Sequence, residues 1–337
     1  MSSEHLDVAV LGTGAWGTTL ACLLARDGHP VRLWARRPDF AQQLARDREN
    51  RQYLPGAIFP ADLRVFDDLA AALAGVSTVI MAAPSHGLRD IAGQALPHLC
   101  TRPLLICATK GLEQPHGTRM SEVLVQVLSS KQPRLVALSG PNLSAEIIAG
   151  EPAVSVAASA DHEAALEAQR LLSNPLFRVY TNSDIIGVEL CGAMKNTIAI
   201  GAGISDGLGY GNNAKAALIT RGMAEISRLG LQLGARAATF AGIAGIGDLI
   251  ATCHSPHSRN WTVGYRLGQG EKPGQITGSM RSVAEGIFTT AAARDKARQV
   301  GVEVPITETV YQVLQERLAP ADGVNSLMTR KWRAEDE

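Results

Sequence analysis

The amino-acid sequence predicts an α/β fold in two parts: a parallel sheet covered by helices over residues 1–184, then an all-helical unit over 185–337. At 337 residues the chain is long for one domain, which favours two. Short apolar runs alternate with helical segments in the first part, a pattern typical of a parallel sheet covered on both faces. Helical spacing continues through the second part, where no convincing strand follows Asp184.

The composition argues against several classes of protein. Hydrophobic residues make up 46% of the chain and aromatic residues 4%, so we expect a core of Ala, Val, Leu and Ile. Lys plus Arg (32) equals Asp plus Glu (32), so no overall positive field attracts nucleic acid or an anionic membrane. We see no secretory signal and no apolar run near 18 residues, and therefore expect no membrane span. Five scattered cysteines without a C-x-x-C pair favour reduced thiols in a cytoplasmic protein.

The first predicted strand, helix and strand form one βαβ unit. Residues 7–11 form a short continuous apolar strand, and residues 15–25 form a helix rich in Ala and Leu. A second strand follows over residues 31–35, after the turn sequence RDGHP. This order and length are typical of a Rossmann-type dinucleotide-binding fold.

The turn between this strand and helix carries three glycines with the spacing G-x-G-x-x-G, namely Gly12, Gly14 and Gly17. Such glycines permit a sharp turn, a close approach of the backbone to a pyrophosphate, and close helix packing. The first amide groups of the helix, at Ala15 and Trp16, then face the phosphates. A plain strand–turn–helix contains the same glycines without a ligand, but the strand, spacing and helix together favour a dinucleotide.

Two arginines follow the second strand, where an NAD-selective site usually has an acidic residue. Arg36 and Arg37 can stack on adenine and pair with a 2′-phosphate, although both would also be ordinary as solvated side chains. Their position predicts NADP(H) as the cofactor, with NAD(H) tolerated.

Three further apolar runs predict strands of the same sheet. They read VSTVIMAAP, ending at Pro84, LLICATKG, ending near Lys110, and RLVALSGP, ending at Pro141. The segments EPAVSVAAS and FRVYTN are candidates to extend it. Ligands bind at the carboxyl ends of parallel strands, which is where Lys110 and Gly140 lie in this interpretation.

Polar residues interrupt the apolar second part at several points. Lys195 and Asn196 lie within CGAMKNTIAI, where an isolated lysine more often extends its amine to solvent than takes part in chemistry. Asp248 and Thr252 are four residues apart and share a helix face. Glu285 lies in a predicted loop within SVAEG.

The segment CHSPHSRN contains a compact set of hydrogen-bond donors suited to a phosphate, formed by Ser258, Arg259 and Asn260. Its two histidines, His254 and His257, raise the alternative of a metal site. Neither their spacing nor a second ligand cluster matches a usual site, so we predict no metal.

Seven segments, in order along nearly the whole chain, resemble the bacterial NAD(P)-dependent glycerol-3-phosphate dehydrogenases. They read GTGAWGTTLA, ATKGLE, SGPNLSAEI, VELCGAMKNTIAIGAG, GLGYGNNAKAALITRGMAEI, GIGDLIATCHSPHSRN and SVAEG. The resemblance implies NAD(P)H-dependent reduction of dihydroxyacetone phosphate to sn-glycerol 3-phosphate, which supplies glycerophospholipid synthesis.

Position by position, the resemblance also implies roles for individual residues. The implied catalytic residues are Lys195 as general acid/base, with Lys110, Asn196, Asp248 and Thr252. The implied substrate-binding residues are Lys110, Gly140, Asn142, Lys195, Asp248, Ser258, Arg259 and Asn260. Together with the glycine loop and the arginine pair, the expected cofactor-binding residues are Gly12, Gly14, Ala15, Trp16, Gly17, Arg36, Arg37, Lys110, Ser144, Arg259, Val283 and Glu285.

One segment departs from the family pattern. The family usually reads Gly-Pro-Ser/Thr-Phe-Ala, whereas this chain has Gly140, Pro141, Asn142, Leu143 and Ser144. The amide of Asn142 can still donate a hydrogen bond to the substrate.

The chemistry of the residues agrees with this reaction. Hydride delivery to a ketone leaves alkoxide character on its oxygen, which requires a proton donor. Lys195 can supply that proton, and a nearby Lys110 would lower the pKa of Lys195 and add positive charge. Asp248 would orient Lys195, and no metal is required.

Two other functions remain open at this point. One is a reductase of another small keto or hydroxy acid, of the ketopantoate or 6-phosphogluconate type. The other is a non-catalytic NADP(H)-binding sensor, against which the set Lys195, Asn196 and Asp248 argues. The expected partner is a small-molecule substrate, and a homodimer is open.

Overall fold

The computed structural model describes residues 6–280, 284–332 and 334–335. Its strands are β1 (Val8–Leu11), β2 (Val31–Trp34), β3 (Leu63–Phe66), β4 (Thr78–Met81), β5 (Leu104–Cys107), β6 (Leu112–Glu113), β7 (Thr118–Arg119), β8 (Arg134–Ser139), β9 (Ala153–Ala158) and β10 (Phe177–Asn182). The helices interleaved with these strands are α1 (Ala15–Arg26), α2 (Pro38–Asp47), α3 (Leu69–Leu73), α4 (Leu88–Ala95), α5 (Met120–Leu128), α6 (Ser144–Ala149) and α7 (His162–Leu172). The remaining helices are α8 (Ile185–Gly207), α9 (Asn212–Gln232), α10 (Ala237–Phe240), α11 (Asp248–His254), α12 (Arg259–Gly268), α13 (Pro273–Ser279), α14 (Glu285–Gln299), α15 (Pro305–Leu314) and α16 (Pro320–Met328).

The main sheet has eight strands in the order β3-β2-β1-β4-β5-β8-β9-β10. Strand β1 pairs in parallel with β2 on one side and with β4 on the other, with Val8 opposite both Val31 and Thr78. The chain therefore winds outward in both directions from β1. This reversal of strand order lies beside the glycine loop, where α/β sheets bind their ligands.

Aliphatic residues form the core on both faces of this sheet. Val8 and Val10 face a cluster with α1, α2 and α7, whereas Ala9 and Leu11 face a second cluster with α3, α4 and α5. Strands β1, β4 and β5 are buried along their whole length, which explains why they are almost entirely apolar. The predicted α/β fold is confirmed.

One part of the sheet differs from the all-parallel prediction. Strands β9 and β10 extend the sheet, but β9 pairs antiparallel to β8. The helix between β8 and β9 has six residues, which is about 9 Å of helix against about 20 Å for a six-residue strand. So short a helix does not return the chain to the start of β8, and β9 therefore runs back from its carboxyl end.

Among the described residues after Asn182, helices are the only regular secondary structure, in agreement with the predicted class. The 23-residue α8 is their central helix, and most of it is buried. Residues Ile185–Gly207 and Ala237–His254 are long and apolar enough to cross a membrane by length and composition, with 83% and 44% of the relevant windows buried inside the protein. Buried core helices have the same length and composition, so these two segments are weak evidence of a membrane span.

Candidate active site

The loop after β1 requires glycine at two of its three positions. Gly12 has a φ of 129°, and a Cβ there would lie 2.6 Å from the carbonyl oxygen of Ala82. A Cβ on Gly17 would lie 2.1 Å from the carbonyl oxygen of Gly12. Gly14 differs, because its Cβ would meet no described atom within 4 Å. Gly12 and Gly17 allow the turn to close, and Gly14 leaves space above it.

The first turn of α1 has the features of a phosphate site. Gly14 is its N-cap residue, and no described side chain caps the helix. The amides of Ala15 and Trp16 therefore remain available to an anion. The indole Nε1 of Trp16 is also buried without a partner among the described residues. These observations fit a dinucleotide bound across this loop.

A buried asparagine that the sequence did not indicate supports this loop from below. The Asn50 amide donates to the carbonyl oxygen of Thr13 at 2.9 Å and to the hydroxyl of Thr18 at 2.7 Å. Asn50 lies 32 residues beyond Thr18, so no local pattern connects the two.

The two arginines after β2 are both exposed, but they differ in their contacts. The guanidinium of Arg37 lies 5.1 Å from the centre of the Phe40 ring, and Arg37 is the N-cap residue of α2. Arg36 lies in the short connection between the end of β2 at Trp34 and the start of α2 at Pro38.

Two lysines and one aspartate meet at the carboxyl ends of β5 and β8. The Lys195 ammonium on α8 donates to Asp248 Oδ1 at 2.6 Å. The Lys110 ammonium, after β5, donates to Asp248 Oδ2 at 2.9 Å and to the carbonyl oxygen of Gly140 at 2.8 Å. Lys195 and Asp248 are 7% and 1% exposed, so this charge cluster is buried and the carboxylate bridges both cations.

Thr252 fixes the orientation of the Lys195 ammonium. Its hydroxyl donates to the backbone carbonyl of Asp248 at 2.7 Å, one turn earlier on α11, and accepts from Lys195 at 2.7 Å. Asp248 and Thr252 therefore share a helix face, as predicted. Lys195 uses two of its three N–H groups in these bonds and has one left among the described contacts.

Burial lowers the pKa of Lys110 to about 8, with Lys195 acting in the same direction and Asp248 opposing it. Removing a lysine from water disfavours its charged form, and a second cation nearby adds to this effect. The cluster thus contains an ammonium group that titrates near neutral pH.

A second polar chain connects α8, α12 and α14. The Asn260 amide donates to Asn196 Oδ1 at 2.8 Å, and its own oxygen accepts from the Gly286 amide at 2.9 Å. Ser258 is the N-cap residue of α12, since its hydroxyl accepts from the Trp261 amide at 3.3 Å. The structure thus brings Asn196 and Asn260 together and gives Ser258 a capping contact.

Arg259 is the first residue of α12 and lies between Ser258 and Asn260 in the chain. Its side chain is exposed to solvent. Enough protein surrounds the guanidinium that desolvation lowers its pKa, while the nearby Glu285 carboxylate acts in the opposite direction. An exposed arginine at the start of a helix can meet a small anion that arrives from solvent.

Glu285, the first residue of α14, contacts the loop after β4. Its carboxylate accepts from the Ser85 hydroxyl at 2.5 Å and from the Ser85 amide at 3.3 Å. Glu285 thus lies beside the carboxyl end of β4, and parallel sheets usually bind their ligands at this edge. Val283, the neighbouring predicted cofactor residue, lies outside the described residues.

The segment that departs from the family pattern has contacts of its own. The Asn142 amide donates to the Val154 carbonyl at 3.2 Å, and its oxygen accepts from the Ser155 hydroxyl at 3.2 Å. These bonds tie the loop after β8 to β9 and leave one N–H of Asn142 for another acceptor. Ser144 begins α6 and is half-buried.

Gly192 is a further residue that the sequence analysis did not single out. A Cβ there would lie 2.6 Å from the Ser139 hydroxyl and 3.6 Å from the Lys110 side chain. Glycine lets α8 approach the end of β8 and so brings Lys195 next to Lys110. The sequence signal for this close approach is a glycine one helical turn before Lys195.

The histidines weighed as metal ligands lie at the surface. His254 and His257 are exposed, while the adjacent Cys253 is buried. The His254 Nδ1 lies 3.0 Å from the carbonyl oxygen of Ile250, one turn earlier on α11.

Comparison with known proteins identifies the family. The profile described as the NAD-dependent glycerol-3-phosphate dehydrogenase N-terminus matches residues 7–165, and the profile for the C-terminus of the same family matches residues 184–325. The chain belongs to the NAD-dependent glycerol-3-phosphate dehydrogenase family. The resemblance found in the sequence is thereby confirmed.

Relatives of this dehydrogenase family cover almost the whole chain. It is 47% identical to a glycerol-3-phosphate dehydrogenase [NAD(P)+] of Geobacillus thermodenitrificans, over 98% of this chain and 96% of the relative. It is 48% identical to the enzyme of that name from Chlorobium limicola, over 98% and 99%. A crystal structure of glycerol-3-phosphate dehydrogenase from Coxiella burnetii superposes with a TM-score of 0.93 at 37% identity, covering 96% of this chain and 99% of that one.

Proposed function

We propose that this chain reduces dihydroxyacetone phosphate to sn-glycerol 3-phosphate with NAD(P)H, reversibly, and so supplies glycerophospholipid synthesis. The observation that carries the proposal is the buried bridge of Asp248 between Lys195 and Lys110, at 2.6 and 2.9 Å. It lies at the same edge of the sheet as the glycine loop. Membership of the glycerol-3-phosphate dehydrogenase family supports the same reaction.

A bound NAD(P)H supplies the hydride, and the protein's own residues handle the proton. Ala15 and Trp16 would hold the pyrophosphate, with Arg36 on the 2′-phosphate. The remaining N–H of Lys195 would donate to the ketone oxygen and transfer its proton there as negative charge develops. Lys110, also with one N–H left, would stabilise the same oxygen electrostatically.

The substrate phosphate would bind at the first turn of α12. Arg259 carries the positive charge for it, and Ser258 and Asn260 flank the arginine on the same turn. Because the phosphate is remote from the ketone, its binding energy can position the carbonyl against the cofactor.

We also propose a division into a dinucleotide-binding domain over residues 1–184 and a helical catalytic domain over 185–337. Asp184 supports the boundary, because its carboxylate accepts from the Gly187 amide and caps α8.

The five free thiols support a cytoplasmic location. A homodimer is a hypothesis that the solution mass would decide.

The proposed function is tested by crossing two substrates with two cofactors. Consumption of NADPH and of NADH would be followed with dihydroxyacetone phosphate and with ketopantoate. We expect turnover of dihydroxyacetone phosphate with both cofactors and none of ketopantoate. Turnover of ketopantoate alone would favour the other reductase class, and cofactor binding without turnover would favour a sensor.

Arg36→Asp should weaken NADPH binding much more than NADH binding. A carboxylate there would repel the 2′-phosphate that the guanidinium attracts, and a charge-assisted hydrogen bond contributes roughly 1.5–3 kcal/mol. Dissociation constants for both cofactors, from the fluorescence of the reduced nicotinamide, measure the effect. The matched variant Arg37→Asp should have the smaller effect, because Arg37 lies against Phe40. Equal losses for both cofactors in Arg36→Asp would refute the role of this arginine.

The reduction of dihydroxyacetone phosphate should slow as the pH rises past the Lys110 pKa of about 8. Deprotonation removes the positive charge that Lys110 places beside the developing oxyanion. The reverse reaction passes through the same transition state, so it should also lose the contribution of the Lys110 charge over this range. Profiles of kcat/KM in both directions test this.

The matched variant for this pH profile is Lys110→Arg, which stays charged. It should move the alkaline fall to higher pH even if its activity is lower. Profiles that are flat in both directions across this pH would contradict the prediction.

A further inference from the structure

The first turn of α12 carries the three residues proposed to bind the substrate phosphate, while the reacting lysine lies on α8. Their separation is therefore set by how α12 packs on α8. The two helices meet through glycines. A Cβ on Gly264 would lie 1.9 Å from the Ile200 carbonyl oxygen, and one on Gly203 would lie 2.1 Å from the Trp261 carbonyl oxygen.

Such backbone contact fixes how close the helices come. It does not by itself fix how far one helix slides along the other, since glycine offers no directional bond. Directional bonds hold the first turn of α12 at two points. Asn196 binds Asn260, as described above, and Asp206 binds Trp261.

Asp206 lies near the end of α8 and receives two hydrogen bonds on one oxygen. The Trp261 indole N–H donates to Oδ2 at 2.7 Å, and the Lys215 ammonium on α9 donates to the same atom at 2.6 Å. Asn196 and Asp206 are ten residues apart, or about 15 Å along the helix. The two bonds thus hold the turn that carries Arg259 at points well separated along α8.

The ion pair of Asp206 with Lys215 has a cost that points to a positional role. The two side chains are 16% and 15% exposed. Desolvation of such a pair offsets most of its attraction, so the pair is a weak source of stability. It does hold the carboxylate in place against the Trp261 indole. Lys215 belongs to the segment NNAKAALITRG, which the proposed mechanism does not otherwise use.

We infer that Asp206, held by Lys215, is a positioning residue for substrate phosphate: through Trp261 it fixes the helical turn on which Arg259 meets the substrate. The inference rests on the proposed phosphate-binding role of Arg259. Asp206 itself touches neither substrate nor cofactor in this scheme.

Two variants break the bond from either side. Trp261→Phe removes the N–H while retaining an aromatic ring to stack on Tyr265, whose ring centre lies 5.0 Å from that of Trp261. Asp206→Ala removes the acceptor. Each should raise KM for dihydroxyacetone phosphate by about tenfold, the low end of what a bond to a charged group contributes. The Kd for NADPH and the turnover of unphosphorylated dihydroxyacetone should stay close to wild type.

Combined variants separate positioning from a general structural role. Asp206→Ala added to Trp261→Phe should raise KM no further, because both remove one bond. Asp206→Ala added to Arg259→Ala should also raise KM no further than Arg259→Ala alone. Asp206→Asn retains an acceptor for the indole and should recover most of the affinity.

Three results would overturn the inference while leaving the proposed function intact. They are an unchanged KM in Asp206→Ala, an equal loss on phosphorylated and unphosphorylated substrate, and additivity with Arg259→Ala. Failure of Asp206→Asn to recover affinity would also count against it. If Arg259→Ala alone left KM unchanged, the phosphate-binding role of Arg259 would fail, and the inference with it.

Discussion

Lys195→Met should reduce the turnover of dihydroxyacetone phosphate by about 10² to 10⁴-fold, the usual contribution of general acid catalysis. Methionine keeps nearly the length of the side chain and removes its proton donor. Asp248 keeps Lys110 on its other oxygen, so the buried carboxylate is not left without a cation. The measurement is NADPH consumption at saturating substrate, with the Kd for NADPH expected to be unchanged.

Lys195→Arg is the matched variant, since it keeps the positive charge. A guanidinium does not release its proton near neutral pH, so turnover should stay low if Lys195 acts as an acid. If arginine restored most of the turnover, the role of Lys195 would be electrostatic. If methionine itself retained most of it, Lys195 would not be the proton donor.

The central strands of this fold could be predicted because both of their faces are buried. Strands β1 and β5 consist of apolar residues and β4 is apolar apart from Thr78, and each ends in a loop that the sequence marks with glycine, proline or lysine. Strand β3 escaped prediction because it is a four-residue edge strand, LRVF, with one buried residue. Strands β6 and β7 have two residues each, too few to show a period.

The direction of β9 could not be predicted from the sequence, for a different reason. A hydrophobic pattern reports which faces of a strand are buried and not which way the chain runs. Direction follows here from the length of α6, and helix ends are set by tertiary contacts as well as by composition. A parallel strand at this position would show the same hydrophobic pattern.

The parts of the site that lie on a single helix could be predicted from the sequence. Asp248 and Thr252 come together through the four-residue spacing of α11, which is visible in the sequence. The support of the glycine loop by Asn50 and the bond of Trp261 to Asp206 join residues 32 to 55 positions apart. Such contacts depend on how helices and strands pack, for which a single sequence has no local signal. The family resemblance provided what spacing alone could not.

Arg259→Ala should lower kcat/KM for dihydroxyacetone phosphate by about 10- to 150-fold, since a guanidinium paired with a phosphate in an enclosed cleft contributes roughly 1.5–3 kcal/mol. An arginine in open solvent would contribute under about 1 kcal/mol. The proposed pairing with the substrate phosphate predicts the larger value. The wild type should greatly prefer dihydroxyacetone phosphate to dihydroxyacetone, in turnover number as well as in KM.

The ratio of kcat/KM for these two substrates at saturating NADPH isolates the phosphate contribution. Arg259→Ala should lose most of that ratio. Arg266→Ala provides a matched control on the same helix, because Arg266 pairs with Glu271 in solvent and should leave the ratio unchanged. Since the family resemblance also places Arg259 near the cofactor, the Kd for NADPH must be measured in parallel. A loss by the same factor on both substrates would mean that Arg259 acts on the cofactor or the fold, and phosphate recognition would then have to come from the Ser258 and Asn260 side chains or from the first amides of α12.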